Sequence, residues 1–286
     1  MTGARWYKAL WANPKSRVGL VVVVAFALLA VVGPWLVGDP TAFLAVPHQP
    51  PSTAHWLGTT GQGQDVLAQT VAGARPTLAV GVLTGLLVVG FGAVTGGAAG
   101  FWGGRVDDAL SLLINVFLVL PGLPLMVVVA AWLPPGPATM TAVLVLTGWA
   151  WNARVLRSQV RSLRERDFVA AAVVSGESGV RILVAEILPN MASLIASAFI
   201  GATVYAIGAQ VGLEFLGLGD PSAVTWGTNL YWASNDSALL TGAWWTFVPT
   251  GVGVALVGFG LVLVNFGIDE ITNPRLATPT TGGGDG

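Results

Sequence analysis

Six arginines, Arg154, Arg157, Arg161, Arg164, Arg166 and Arg181, crowd into one block of a chain that otherwise avoids charge. Glu165, Asp167, Glu177 and Glu186 are interspersed among them. Guanidinium groups at this density suit anionic lipid headgroups or a partner protein. The residue types that would carry catalysis are missing or misplaced. There are no cysteines, which removes disulfides, thiolate nucleophiles and Cys-ligated metals. The two lysines, Lys8 and Lys15, do not form a phosphate-binding loop: Lys15-Ser16 follows Pro14 where the motif needs glycine, and no glycine stands at its upstream position. Gly61-Gln-Gly63 follows no strand and reads as a turn rather than the start of a dinucleotide loop. His48 and His55 have neither cysteine nor an acidic cluster nearby, so ordinary surface histidines are the plainer reading than a nickel site. No catalytic residue, no bound cofactor and no metal site is expected in this chain. A net charge of −1 gives no field for nucleic acid.

The elements that position the arginine block are overwhelmingly apolar. Hydrophobic residues make up 54% of the 286 and charged ones 9%, against roughly 25% charged in a soluble domain. Uncharged windows cover residues 18–38, 76–104, 109–153, 187–213 and 237–268. A bilayer core of about 30 Å needs roughly 20 apolar residues in a helix. The window 109–153 is divided by Pro134-Pro135-Gly136-Pro137 into two spans, the second of them short. The reading is an all-α, polytopic membrane protein with six transmembrane helices. The first window is too long for a signal peptide and no A-x-A-like site follows it, so it reads as a retained anchor. Trp6, Tyr7, Leu10 and Trp11 before it suit an interfacial helix.

Six spans put both termini on one side. If that side is the cytoplasm, Arg5, Lys8, Lys15, Arg17, Arg105, the six arginines of the block and Arg275 are all inside. That is 12 of the 13 basic residues, leaving Arg75 outside, and the positive-inside rule selects this orientation. The organisation expected is a cytoplasmic interfacial segment at 1–17, a first span at 18–38 and an external segment at 39–75. A core of five spans follows at 76–268, carrying a cytoplasmic loop at 154–190, and then a cytoplasmic tail at 269–286 whose Thr/Gly/Pro-rich end reads as disordered.

Four stretches carry a family resemblance. Leu57-Gly-Thr-Thr60-Gly-Gln-Gly63-Gln-Asp65-Val-Leu-Ala-Gln-Thr-Val-Ala-Gly73-Ala-Arg75 is similar to the pattern L-G-T-D-x-x-G-R-D-V-L-S-R-x-x-x-G-A-R. Ala170-Ala-Ala172, Gly176 and Leu188-Pro189-Asn190 resemble E-A-A-x-x-x-G followed by L-P. Phe215-Leu-Gly-Leu-Gly219 with Trp226-Gly227 resembles F-L-G-L-G…W-G, and Asn273-Pro-Arg-Leu276 resembles D-P-R-L. These patterns belong to the inner-membrane permeases of ABC importers in the dipeptide/oligopeptide/nickel branch, and here to the second, C-type permease of a pair. The resemblance runs from about residue 6 to 276 and implies the type I ABC importer permease fold.

It also implies partners and a site. A second homologous permease, two cytoplasmic ATPase subunits that hold ATP and Mg, and an external or periplasmic solute-binding protein would complete the transporter in a bacterial or archaeal cytoplasmic membrane. The loop would form a short helix over 167–175 ended by Gly176, then a second helix over about 178–188, with Pro189 starting the next span. The coupling residues implied are Phe168, Val169, Ala170, Ala171, Ala172, Val173, Gly176, Glu177, Leu188 and Pro189, with Phe168, Val169, Ala172 and Val173 as the apolar docking face. Glu214, Asp220 and Trp226 are the candidates on the substrate or binding-protein side, against a reading of the two carboxylates as solvated interfacial groups. Short peptides are the implied cargo; nickel or another small solute of the same branch is the alternative.

Three residues depart from the pattern: Ala170 replaces the glutamate of E-A-A, Glu186 replaces a basic or His residue, and Gln210 replaces an acidic residue. A secondary transporter is the reading from another class, but it calls for paired ionisable groups inside the spans, and the windows contain none. The spacing of Gly81 and Gly85, and of Gly92, Gly96 and Gly100, predicts helix backbones in close approach, as a movable seam or as static packing.

Overall fold

The computed structural model describes residues 11, 13–43 and 45–272. Residues 6–10 of the expected interfacial segment, the motif at 273–276 and the tail beyond it lie outside the described residues. Within them the chain is helical, with one isolated bridge between Thr59 and Asp65 in place of a sheet.

Helix α1 (Pro14–Leu36) begins where Asn13 Oδ1 accepts the Lys15 N–H at 2.8 Å and Pro14 fills the first position. Helix α2 (Val66–Trp102) is 37 residues, roughly 55 Å long. Asp65 caps it by accepting the Ala68 N–H at 2.9 Å, so the helix starts well before the apolar window at 76 and Pro76 lies inside it. Helices α3 (Gly104–Val119) and α4 (Gly122–Trp132) meet at 87°. Leu120 between them is extended because Pro121 follows, and a residue before proline is driven out of the helical region. The third expected span is therefore a broken one, with a bend at Pro121 in addition to the expected turn at 134–137.

Helix α5 (Pro137–Arg164) fuses the short fourth window with the first four arginines of the block. The arginine block is thus not a loop from residue 154 onward; its first turns extend a span. After α5 come α6 (Asp167–Val174) and α7, in which Gly179–Arg181, a π-helical turn Ile182–Ile187 and Leu188–Asn190 run on from one another. Pro189 explains the π turn. It has no N–H to give Ala185, so the Leu188 N–H reaches back five residues to Leu183 O, and Asn190 Nδ2 covers Glu186 O at 2.7 Å. The next span therefore begins not at Pro189 but at α8 (Ala192–Phe215), which is followed by α9 (Trp226–Asn235) and α10 (Val248–Thr272).

Four helices among the described residues, α1, α2, α8 and α10, are long and apolar enough to cross a membrane, and the bent α3–α4 pair makes five. Helix α5 falls short of that measure because Thr, Gly, Trp and Asn dilute its apolar half.

Helix α2 is central, packed between α5 and α8 with α1 alongside. Its two glycine series serve two neighbours. A Cβ on Gly92 or Gly100 would sit 3.0 or 2.6 Å from backbone atoms of Ala153 and Arg157, and one on Gly96 would collide with the Ala153 carbonyl. Gly81 and Gly85 instead face Ile207 and Thr203 of α8. Helices α1 and α10 meet the same way, at Gly19 and Gly260.

Away from the arginines, three motifs far apart in sequence form one joint between α2, α8 and α9. Helix α8 ends at Gly217, whose φ is +81°. The Gly217 N–H donates to Glu214 O at 2.9 Å and the Leu218 N–H to Leu213 O at 3.0 Å, a Schellman stop. Trp226 is 0% exposed. Its Nε1–H donates to Thr70 O at 2.9 Å, its backbone N–H to Thr77 Oγ1 at 3.1 Å, and its ring meets Phe26 edge-on. Gly73 of α2 leaves the space for it.

Two predictions follow from this packing. Gly96→Leu must push α2 from α5 and should cost roughly 1–3 kcal/mol, read as a lower melting temperature in detergent, whereas Gly90→Leu, with open space beside Gly90, should melt like the parent. Equal drops would remove the seam from the account. Trp226→Phe keeps an aromatic ring but loses the indole donor to the half-buried Thr70 carbonyl and leaves unfilled volume in the enclosed joint, for a loss of about 1–3 kcal/mol in the same assay.

Candidate functional site

The arginine-bearing end of the molecule presents α6 on a rigid seat. Val169 of α6 is 3% exposed and packs with Leu156 and Val160 of α5, Ile182, Leu183 and Ile187 of α7, and Met191. Phe168, Ala172 and Leu188 are half-buried against the same cluster. Of the docking face expected from the sequence, Phe168, Val169 and Ala172 lie on this packed side and Val173 does not. Phe168, Val169 and Ala172 anchor the helix to its own chain, because the α5 stem and α7 close over that side.

The open side carries Ala170, Ala171, Val173 and Val174. Val173 is 59% and Val174 89% exposed. Val174 was not singled out from the sequence. Its signal was helical spacing relative to Ala170 and Ala171, which has meaning only once the buried side is known. Ala170 sits on this open side, so the family's glutamate at that position would point away from the chain.

Gly176 ends α6 as its motif position implies. Its φ is +79°, its N–H donates to Val173 O at 3.0 Å, and the Glu177 N–H donates to Ala172 O at 3.2 Å. This is again a Schellman stop. Glu177 then pairs with Arg181 at 3.5 Å, and Ser178 caps α7 by accepting the Arg181 N–H at 3.4 Å. Pro189 is exposed at the far end of α7.

Two of the six arginines brace the stem. Arg157 forms a two-point pair with Asp107 of α3, Nε to Oδ1 at 2.5 Å and Nη2 to Oδ2 at 2.7 Å, and Ser111 adds a bond to the same carboxylate at 2.9 Å. Such fork geometry fixes orientation as well as charge. Arg154 Nη2 donates to Asn115 Oδ1 at 2.8 Å. The stem of α6 is thus clamped to α3 by side chains and to α2 by the glycine seam.

At the other end the three expected substrate-side residues separate. Trp226 is a packing residue of the α2–α8–α9 joint. Glu214 is 5% exposed, lies against Gly219 and Gly227, and accepts bonds from Gln210 Nε2 at 2.8 Å and Thr225 Oγ1 at 2.5 Å. It cannot reach a solute or a docking protein without opening the joint. Gln210, the departure from an acidic residue, is its neutral partner, so one buried carboxylate stands where two would repel. Only Asp220 stays accessible. The Ser222 N–H and hydroxyl donate to its Oδ1 at 2.9 and 2.6 Å and hold its carboxyl below the usual range.

The histidines are structural. His55 Nδ1 meets Asp65 Oδ2 at 2.8 Å, beside the cap of α2. His48 lies by Thr241 at 3.4 Å and faces Asp236, whose carboxyl is pushed up by burial and only partly restored by the imidazole. Among the described residues, no group of three or more His, Cys, Asp or Glu is placed to hold a metal ion.

Comparison with known proteins places this geometry. The model of the binding-protein-dependent transport system inner membrane component matches residues 89–278. The dipeptide transport system permease protein DppC of Bacillus subtilis (strain 168) is 31% identical over 275 residues, covering 94% of this chain and 85% of that protein. The oligopeptide transport system permease protein OppC of the same strain is 31% identical over 269 residues, covering 93% and 87%. OppC of Mycobacterium tuberculosis (strain ATCC 25618 / H37Rv) is 36% identical over 213 residues, covering 73% and 72%. With a family model matched over most of its length and such relatives along nearly all of it, the chain belongs to the binding-protein-dependent transport system inner membrane components, the multi-pass permeases of ABC importers.

Proposed function

We propose that this chain is one of two permeases of an ATP-driven importer of short peptides, and that α6 receives the force of a cytoplasmic ATPase subunit. The observation that carries the reading is the open apolar side of α6, Ala170, Ala171, Val173 and Val174, on a stem clamped to α2 and α3. Apolar side chains projecting from a short helix into solvent, beside arginines, suit a groove on a partner protein. The positive-inside rule puts this end in the cytoplasm with both termini, and the joint of α2, α8 and α9 on the outside. A second homologous permease, two ATPase subunits and an external solute-binding protein complete the transporter. ATP and Mg belong to the ATPase subunits, since this chain has no phosphate-binding loop. The dipeptide and oligopeptide relatives support peptide as the cargo.

The mechanism then follows from stiffness. When two ATPase subunits close on ATP, they carry α6 with them. The buried cluster beneath α6 makes it one body with α5 and α7. The α5 stem moves with α2 and α3, so a displacement at the cytoplasmic surface becomes a rearrangement of spans. Each nucleotide state binds one arrangement better than the other, which is all that alternating access requires thermodynamically.

Two variants test this in proteoliposomes containing the complete transporter. Val174→Asp changes a side chain that touches little of its own chain, so folding is retained. It should weaken ATPase-subunit binding roughly tenfold or more, a loss of about 1.4 kcal/mol, and uptake should fall with it. Gly176→Val forces a β-branched residue into the left-handed region at a cost of about 1–2 kcal/mol; uptake should drop while ATP hydrolysis continues, and Gly176→Asn, which tolerates that region, should keep most of it. Normal uptake in both Val174→Asp and Gly176→Val would sink the coupling assignment.

A further inference from the structure

A cavity of about 500 Å³ opens between α2, α3, α5 and α8 in the half of the spans nearest the arginines. Thr147, Trp151, Asn152, Ser197, Gly201 and Tyr205 form its polar and glycine wall. A larger groove of about 980 Å³ between α2, α3 and α5 is different in kind. It is lined by side chains such as Leu83, Leu87, Phe91, Leu113 and Phe117, which suit lipid tails or another apolar helix.

The smaller cavity does not suit lipid. The Asn152 amide and the Trp151 indole N–H have no hydrogen-bond partner among the described residues, and Trp151 is 63% exposed. At bilayer depth hydrocarbon offers no partner either, and an unsatisfied amide there costs several kcal/mol. Such groups are tolerated where they line water. The wall is also selective by omission: no lining side chain is a carboxylate, an imidazole or a thiolate, the groups that hold a divalent transition metal. The hydroxyls of Thr147 and Ser197 are engaged with Val143 O and Asp269 Oδ1, at 3.0 and 2.9 Å. With the Tyr205 hydroxyl donating to Met126 Sδ at 3.8 Å, the open donors of the wall are the Asn152 amide and the Trp151 N–H.

We infer that this cavity is one wall of the aqueous passage, where Asn152 and Trp151 take the backbone amides of a peptide in transit; this rests on the importer reading above. A side-chain amide both donates to a peptide carbonyl and accepts from a peptide N–H. An indole face and a phenol ring accept side chains of varied shape without demanding charge. The passage therefore selects for the feature all short peptides share and excludes no particular side chain.

The absence of cysteine from the sequence provides the test. Asn152→Cys and Gly201→Cys are each placed in the complete transporter in membranes, with Val94→Cys as the comparison. Gly201 has open space beside it, so that variant folds without strain; Val94 is an apolar residue of α2, 72% exposed and outside both cavities. A charged, water-soluble thiol reagent should modify positions 152 and 201 at least roughly tenfold faster than 94, because the reacting thiolate forms only where water reaches it. A transported dipeptide, supplied with binding protein and ATP, should slow modification at 201, where Asn152 is retained, and Ni²⁺ should not.

Labelling of 152 and 201 no faster than 94, in a transporter that still takes up dipeptide, would overturn the passage assignment and leave the importer reading intact. Protection by Ni²⁺ and not by dipeptide would overturn the peptide-amide assignment. Failure of the importer reading itself shows separately, as absence of dipeptide uptake by the unmodified complex.

Discussion

The close approach of α2 to α5 is the constraint on which the rest of this structure depends. Gly92, Gly96 and Gly100 let the two backbones approach until a single added methyl at Gly96 would strike the Ala153 carbonyl. In a bilayer there is little hydrophobic drive between helices, so backbone proximity and dispersion hold them. That contact fixes the line of α5 and with it the direction in which the arginine stem leaves the spans. Arg157 meets Asp107 only because α5 and α3 are held at this spacing. Helix α6 has a seat only because Leu156 and Val160 of the same stem face it.

The two ends of the molecule use the same chemical device for different purposes. Gly176 and Gly217 both stop a helix in the left-handed region with paired backbone bonds. At Gly176 the stop frees the chain to turn back into α7 and leaves an apolar side open to solvent. At Gly217 it turns the chain inward, so that Trp226 reaches Thr70 and Thr77 on α2 and closes the joint. A short helix with an unburied face suits a surface that engages a partner, whereas a joint whose aromatic is fully enclosed suits a fixed support. The π turn of α7 lies between the open helix and the next span, where Pro189 keeps an ordinary helix from continuing.

Charge is placed with equal economy. Arg157 is neutralised by a carboxylate at the membrane edge, and Glu214, the one carboxylate enclosed in the α2–α8–α9 joint, is held by neutral donors from Gln210 and Thr225. Replacing an acidic residue by Gln210 removes a second negative charge from that enclosure. Asn152 and Trp151, two polar side chains without partners among the described residues, line the same cavity.

The sequence by itself determined the class of molecule. Long uncharged windows admit only helices in a bilayer, and the sequence has no cysteine and no lysine within a phosphate-binding loop pattern. It also determined where α6 stops, since only glycine sits easily in the left-handed region, and that α2 packs closely, since small residues recur at helical spacing. Helix ends were less legible: Asp65 starts α2 before the apolar window at 76, and Pro121 breaks the third span, because capping and proline sterics act regardless of hydropathy. What only the tertiary structure decided is which side of each helix faces what. Periodicity shows that α6 has an apolar stripe but not that its Val169 side is taken by α5 and α7, leaving Val174 outside. Likewise Glu214 and Trp226 look like surface residues in a polar segment, yet folding α9 onto α2 and α8 encloses both. Local propensity and composition are properties of a segment; exposure is a property of what the rest of the chain brings against it.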